Sequence, residues 1–286
     1  MDFFDNFVDD EMKLVRDTCR RFAEREIAPH ALEWEEAGQF PRELYRTAAA
    51  AGVLGVGFPE TLGGAGGGVL HTMMAVEGLM RGGSTGVVVG LGSLGIALPP
   101  IVQSGNAELI DRFVRPTLAG EMIAALAITE PGAGSDVSGV ATRAVADGED
   151  YVVNGAKLFI TSGVRADFLT VLVRTGDDPH RGLSFLVIER DRPGVTVSRA
   201  LKKTGWWASD TAELFFDDVR VPRSQLVGGE GGGFFTLMRN FQTERFGLAA
   251  YGCATAQIAL EEALRYVKER KAFGRPLVGF QVTRHK

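Results

Sequence analysis

Cysteine is scarce in this 286-residue chain: Cys19 and Cys253 stand far apart, so neither a disulfide framework nor a cysteine zinc cluster can be built. Histidine is equally thin, with His30, His71, His180 and His285 scattered along the sequence, and no metal is expected. An excess of positive charge is also missing. The 31 Lys+Arg against 36 Asp+Glu leave a net charge of −5, which disfavours nucleic acid as a partner. The opening MDFFDNFVDDEMKLVRD has no basic n-region or apolar h-region and is too acidic for a mitochondrial presequence, so a cytoplasmic location is expected. Charge is absent altogether from Gly82 to Ala107, but that stretch carries seven glycines and Pro99-Pro100. Its dense apolar part, Val87 to Leu98, is too short for a bilayer core of roughly 30 Å, so a buried core helix is expected and no integral membrane association.

What is present is a composition able to bury a core, 45% hydrophobic and 23% charged, in a chain long enough for two or three domains. The order of textures is α–β–α. Over residues 1–121, Val8, Met12, Val15, Cys19, Phe22 and Ala23 recur at helical spacing. A second helix follows Pro41 and stops near Gly52, and a glycine loop spans Gly63 to Gly68. Helical patterns then cover Leu70–Arg81, Gly86–Ser104 and Ala107–Ala119, the last with Asn106 as N-cap. Over residues 122–229, short β-rich runs (Tyr151–Val153, Lys157–Thr161, Phe168–Val173, Leu183–Ile188, Val195–Val197, Ala212–Phe216) alternate with turn clusters. Asn154-Gly155 is expected to be a two-residue hairpin turn, and the whole an antiparallel barrel or sandwich. From residue 230 to 286 the chain is helical again. Phe241, Leu248, Gly252, Ala256, Ala259, Ala263 and Tyr266 form a stripe that needs partners to be buried, as in a helical bundle. The native protein is therefore expected to continue past Lys286, or another subunit to supply the missing helices. The fold class is α+β multidomain: a helical domain, a β domain and an incomplete helical bundle.

Gly90-Leu91-Gly92-Ser93-Leu94-Gly95 matches G-x-G-x-x-G, but no β-α-β repeat surrounds it, so close helix packing is the better reading. The Gly63–Gly68 loop lacks a following Lys-Ser/Thr and reads as a surface turn. Ile128-Thr129-Glu130-Pro131-Gly132-Ala133-Gly134-Ser135-Asp136 offers free backbone N–H groups and hydroxyls, and is either an anion-binding loop or an ordinary turn. A second hydroxyl-bearing turn ends the run Lys157-Leu158-Phe159-Ile160-Thr161-Ser162-Gly163.

Five collinear blocks, ITEPGAGSD, NGAKLFITSG, AELFFDDVRVP, ERFGLAAYGCA and YVKERKAFGRPLVGFQ, closely resemble the flavin-dependent acyl-CoA dehydrogenase family. The resemblance implies N-terminal helices, a middle β-barrel and a C-terminal four-helix bundle. It also implies FAD as cofactor, α,β-dehydrogenation of acyl-CoA, a homotetramer or dimer, and an electron-transfer flavoprotein as acceptor. Carried over by position, Leu126, Ile128, Thr129, Gly134 and Ser135 would line the flavin, with Ser135 also near the thioester. Phe159 takes the place of the family's usual aromatic residue against the flavin ring, beside Ile160, and Thr161 lies near the N5 edge. Arg270, Phe273 and Gln281 match FAD contacts made at the subunit interface. Gln242, Thr243, Glu244 and Arg245 would face the substrate.

In that reaction a carboxylate takes the α-proton and the flavin takes the β-hydride. Most members are expected to carry the base in the C-terminal region. Glu244 resembles instead the base of the isovaleryl and long-chain members, which precedes an arginine. The bland alternative is a first-turn glutamate favoured by the helix dipole. Glu130 is expected to order its own loop. Trp206-Trp207 reads as core or interface packing, with docking of an electron acceptor as the functional alternative. The basic stretch from Arg265 to Lys286 offers contacts to CoA and FAD phosphates or a solvated face. The same scaffold could serve an acyl-CoA oxidase, a flavin monooxygenase or a non-catalytic acyl-CoA-binding protein.

Overall fold

The computed structural model describes residues 8–286; the first seven positions of the acidic opening lie outside the described residues. Helix α1 (Asp10–Glu26) starts where Asp9 Oδ1 accepts from the Met12 N–H at 2.8 Å, and it buries Cys19, Phe22 and Ala23. Helices α2 (Ala31–Ala37) and α3 (Glu43–Ala50) follow, then α4 (Val69–Met80), which packs on α1. That contact depends on Gly78, where a Cβ would sit 2.3 Å from the Arg16 carbonyl oxygen.

The single helical pattern expected over Gly86–Ser104 is three helices: α5 (Thr85–Leu91), α6 (Leu94–Ala97) and α7 (Pro99–Ser104). The breaks fall at Gly92-Ser93 and before Pro99, whose ring removes a backbone donor. The segment Thr85–Ser104 is long and apolar enough, by length and composition alone, to cross a membrane, yet 61% of its apolar window is buried inside the structure. It packs against α4, the first strand of the sheet and the long C-terminal helix. Helix α8 (Ala107–Leu109), capped by Asn106 Oδ1 at 3.2 Å from the Leu109 nitrogen, runs through a π-helical turn into α9 (Arg115–Leu118).

One sheet of eight strands follows: β1 (Ala124–Ala127), β2 (Arg143–Asp147), β3 (Asp150–Thr161), β4 (Phe168–Arg174), β5 (Leu183–Glu189), β6 (Val195–Val197), β7 (Thr211–Pro222) and β8 (Leu226–Val227). The order is β6-β7-β3-β2-β4-β5-β8, antiparallel except where β1 and one residue pair of β2 run parallel to β4. The sheet buries its own apolar cluster, including Tyr151, Val171, Ile188 and Leu214.

The Asn154-Gly155 hairpin is corrected. Strand β3 runs straight through both residues, and the turn is at Gly148, where φ is +60°. Asn154 sits at a register shift against β7, its amide clamping Asp218 through two 2.9 Å hydrogen bonds. Gly155 is required for another reason: a Cβ there would lie 2.7 Å from the Thr142 Cα. Strands β1 and β2 carried no β-branched signal beyond Val145; their partners in the sheet and, for β1, burial on three of four residues make them strands.

Helix α10 (Gly233–Glu269) starts tight against β5, with room for no Cβ at Gly233. It then lies across α4, its buried and half-buried side chains including Leu237, Phe241, Ala250, Tyr251, Ala254 and Ile258. Most of the stripe read from the sequence is exposed, Leu248 and Tyr266 by more than half. A short ribbon, β9 (Lys271–Ala272) and β10 (Arg275–Pro276), leads to α11 (Gln281–His285).

Glu35 on α2 ties these layers together. Its Oε1 accepts from Ser84 Oγ at 2.6 Å and the Gly86 N–H at 3.0 Å, and its Oε2 from the Ala208 N–H at 2.9 Å. Glu35→Ala leaves two backbone donors without partners at the junction of helices and sheet. A stability loss of about 2–3 kcal/mol is expected, read as a lower denaturant midpoint with the same m-value.

Candidate functional site

A cavity of about 560 Å³ opens between α4, α5–α7 and α10, walled by apolar side chains such as Leu54, Phe58, Met73, Val76 and Leu94. Among the described residues, Glu244 is the one charged side chain in that lining. Its Oε2 is shielded from solvent and has no hydrogen-bond partner. Burial pushes the Glu244 carboxyl above the usual glutamate range, against the opposing pull of Arg245. Arg245 is exposed and lies 5.8 Å over the Phe241 ring; successive helix positions point about 100° apart, so its guanidinium leaves the carboxylate unpaired. A desolvated carboxylate with a free oxygen facing apolar walls is a strengthened base.

Thr161, at the end of β3, reaches the same lining, as do Thr243 and Trp206. Just before it, the register of β3 against β7 skips between Lys157 and Ile160. This bulge puts Phe159 at φ +60° and leaves its ring 64% exposed, an arrangement costing roughly 1–3 kcal/mol for a bulky residue. Ser162 is left-handed as well (φ +61°), with its hydroxyl buried.

The 128–136 loop is held from beneath. Glu130 turns inward, where it accepts from Lys157 Nζ at 2.8 Å and from the Thr142 and Ala141 N–H groups at 3.0 and 2.7 Å. Lys157 Nζ also donates to the Ile128 carbonyl at 2.9 Å. Burial pushes the Lys157 ammonium down to about 8 although Glu130 opposes it. Burial acts to raise the Glu130 carboxyl, but Lys157 and the three hydrogen bonds outweigh it and hold it below the usual range. With Glu130 so occupied, Pro131, Gly132, Gly134 and Ser135 are left exposed. Thr129 and Leu126 are half-buried. The Ile128 and Ile160 side chains are buried, so a ligand on this surface meets their main chain only.

Arg270, Phe273 and Gln281 are not brought to this cavity. Arg270 lies 26 residues beyond Glu244, about 39 Å along the helix axis, and Phe273 is 97% exposed. Gln242 is exposed beside the cavity's α10 wall. Trp206-Trp207 is not core: the rings are 42% and 52% exposed, and Trp206 (φ +56°) lines the cavity. Sequence reasoning missed Tyr251 in the lining, and it treated Gly92, Ser93 and Gly95 as packing only, although all three line the cavity. Gly90 does serve packing, since a Cβ would lie 2.6 Å from the Phe40 ring.

Three family models match in chain order: "Acyl-CoA dehydrogenase, N-terminal domain" over residues 9–121, the middle domain over 125–219 and the C-terminal domain over 231–286. The mouse (Mus musculus) mitochondrial long-chain specific acyl-CoA dehydrogenase is 39% identical over 279 residues, 96% of this chain and 65% of that protein. The chain thus spans just under two thirds of that relative's length. Among solved structures, a probable acyl-CoA dehydrogenase from Mycobacterium abscessus is 53% identical with a TM-score of 0.95, covering 98% of this chain and 74% of that one. A glutaryl-CoA dehydrogenase from Mycobacterium smegmatis, solved in complex with FADH2, is 29% identical with a TM-score of 0.91, covering 99% and 72%.

Proposed function

The chain belongs to the acyl-CoA dehydrogenase family, and from that premise we propose that it converts an acyl-CoA thioester to the trans-2-enoyl-CoA, with Glu244 as the base. The observation that carries this reading is the Glu244 carboxylate: its Oε2 without a hydrogen-bond partner, raised by burial, and the one charged side chain among the described residues of a mainly apolar cavity of a size for an acyl chain.

The residues present fit FAD. An exposed Phe159 ring is held out on a strained bulge, and the 131–135 loop presents open backbone. Thr129, Gly134, Ser135 and Thr161, with the main chain of Leu126, Ile128 and Ile160, would hold the cofactor. Arg270, Phe273 and Gln281 would serve a neighbouring subunit's cofactor in a homo-oligomer, given their distance from this cavity. When bound, the flavin supplies the acceptor for the β-hydride.

The chain's own part is acid–base and positional. Glu244 takes the α-proton onto an oxygen that no other group occupies. Gln242, Thr243 and Arg245 flank it toward the CoA end. Water is kept from the carboxylate by the apolar walls, which sustains its basicity. Electrons would pass to an electron-transfer flavoprotein in the cytoplasm. The test is anaerobic titration of the FAD-loaded protein with saturated acyl-CoAs. Bleaching of the oxidised-flavin absorbance is the expected result, and an unchanged spectrum with bound thioester would count against dehydrogenation.

A further inference from the structure

Tyr251 belongs to the cavity lining but is two helical turns from the base. Glu244, Gly247, Leu248 and Tyr251 lie on one face of α10, and Tyr251 is the last residue of that helix, among those described, to touch the cavity. Its side chain crosses to α5, where the hydroxyl donates to the Val88 carbonyl at 3.2 Å. It arrives directly over Gly92: a Cβ there would lie 2.8 Å from the Tyr251 oxygen. Any larger residue at position 92 would push the phenol away. The space that Gly92 leaves open on α5 is therefore filled from α10, and the two helices are bridged across the cavity by one aromatic ring.

Resting on the acyl-CoA reading above, we propose that Tyr251 is the floor of the acyl cavity and limits the substrate to acyl groups of medium length. Seven residues of helix separate it from Glu244, about 10.5 Å of rise. An extended chain advances roughly 1.2 Å per bond, a third of the rise of an extended three-bond peptide unit. After clearance for the ring, roughly six to ten carbons fit between base and floor.

The experiment is calorimetric binding of a saturated series, butanoyl-CoA to hexadecanoyl-CoA below their micellar concentrations, to the full chain. Affinity is expected to rise about tenfold per two methylenes while each addition is buried, then to stop rising at the floor. Tyr251→Phe keeps the ring and should keep the break point, whereas Tyr251→Ala should move it to longer chains. A folded Tyr251→Ala protein with an unmoved break point overturns the floor and leaves the acyl-CoA reading standing. No binding by any member of the series overturns the acyl-CoA reading itself, and the floor with it. A second measurement needs no variant: decanoyl-CoA carrying a terminal diazirine, photolysed on the wild-type protein, should label the peptide containing Tyr251 or its contact Val88. Insertion confined to other peptides refutes the proposal.

Discussion

Glu244→Gln is expected to slow flavin reduction by acyl-CoA by about 10²–10⁴-fold while making the protein more stable. The first effect follows from removing the group proposed to accept the α-proton; the amide keeps the shape and the hydrogen-bonding reach but is no base. The second follows from linkage. The folded state holds the Glu244 proton more tightly than the unfolded chain does, because burial raises the carboxyl. As pH rises from the ordinary glutamate value through the raised one, the folded state binds more protons than the unfolded chain, so stability falls across that window. At neutral pH the whole cost is present, and glutamine removes it. Thermal midpoints measured from pH 4 to 8 should converge at the acid end and separate above it, with the variant higher. Stopped-flow reduction of the wild type should accelerate with pH through the same window. A Glu244→Gln protein that bleaches at the wild-type rate would place the base at another residue.

Much of the architecture was legible because it rests on periodicity. The buried Cys19, Phe22 and Ala23 repeat at helical spacing, and β4 and β5 are short buried runs, apolar but for Thr170 and Ser184 before their charged last residues. Signals that depend on local chemistry misled where a distant segment decided the outcome. Asn-Gly normally marks a tight turn, but Gly155 is needed because Thr142 passes against it, a contact 13 residues away in sequence. The Gly86–Ser104 pattern is helical by composition, and only packing and Pro99 decide where it breaks.

The candidate site divides in the same way. Glu244-Arg245 could be picked out by resemblance, and the proposal that Glu244 is a base gains physical content only from the walls that desolvate it. The Phe159 bulge leaves no mark in the sequence, since its cause is a register skip against β7. Tyr251 was equally silent. Its meaning lies in Gly92, 159 residues earlier, and only the fold closes that distance.

Lys157→Met should be the most destabilising single change considered, at about 3–5 kcal/mol, because it strands a buried carboxylate. Lys157 has a fully buried side chain and is bonded both to Glu130 and to the Ile128 carbonyl. Methionine fills the volume but returns neither hydrogen bond, leaving Glu130 with backbone donors and no cation. Adding Glu130→Gln should recover part of the loss, since the second change removes the charge that the first left unpaired; the two effects are therefore expected to be less than additive. Acid supplies an independent check. Glu130 is held below the usual glutamate range, so its contribution is present above that range and is lost as pH falls through the depressed value. Denaturant midpoints from pH 7 to pH 3 should thus fall more steeply in the wild type than in the Lys157→Met, Glu130→Gln pair. The functional consequence is specific to the loop above this pair. Lys157 fixes the carbonyl of Ile128, and the next residue on, Thr129, is tied by its own carbonyl to the Leu158 N–H at 2.8 Å. Releasing Lys157 frees the edge of the surface assigned to FAD while leaving Glu244 in its cavity. A weaker FAD affinity, measured by flavin fluorescence on folded protein, with Tyr251-limited acyl-CoA binding retained, is the expected signature of that separation.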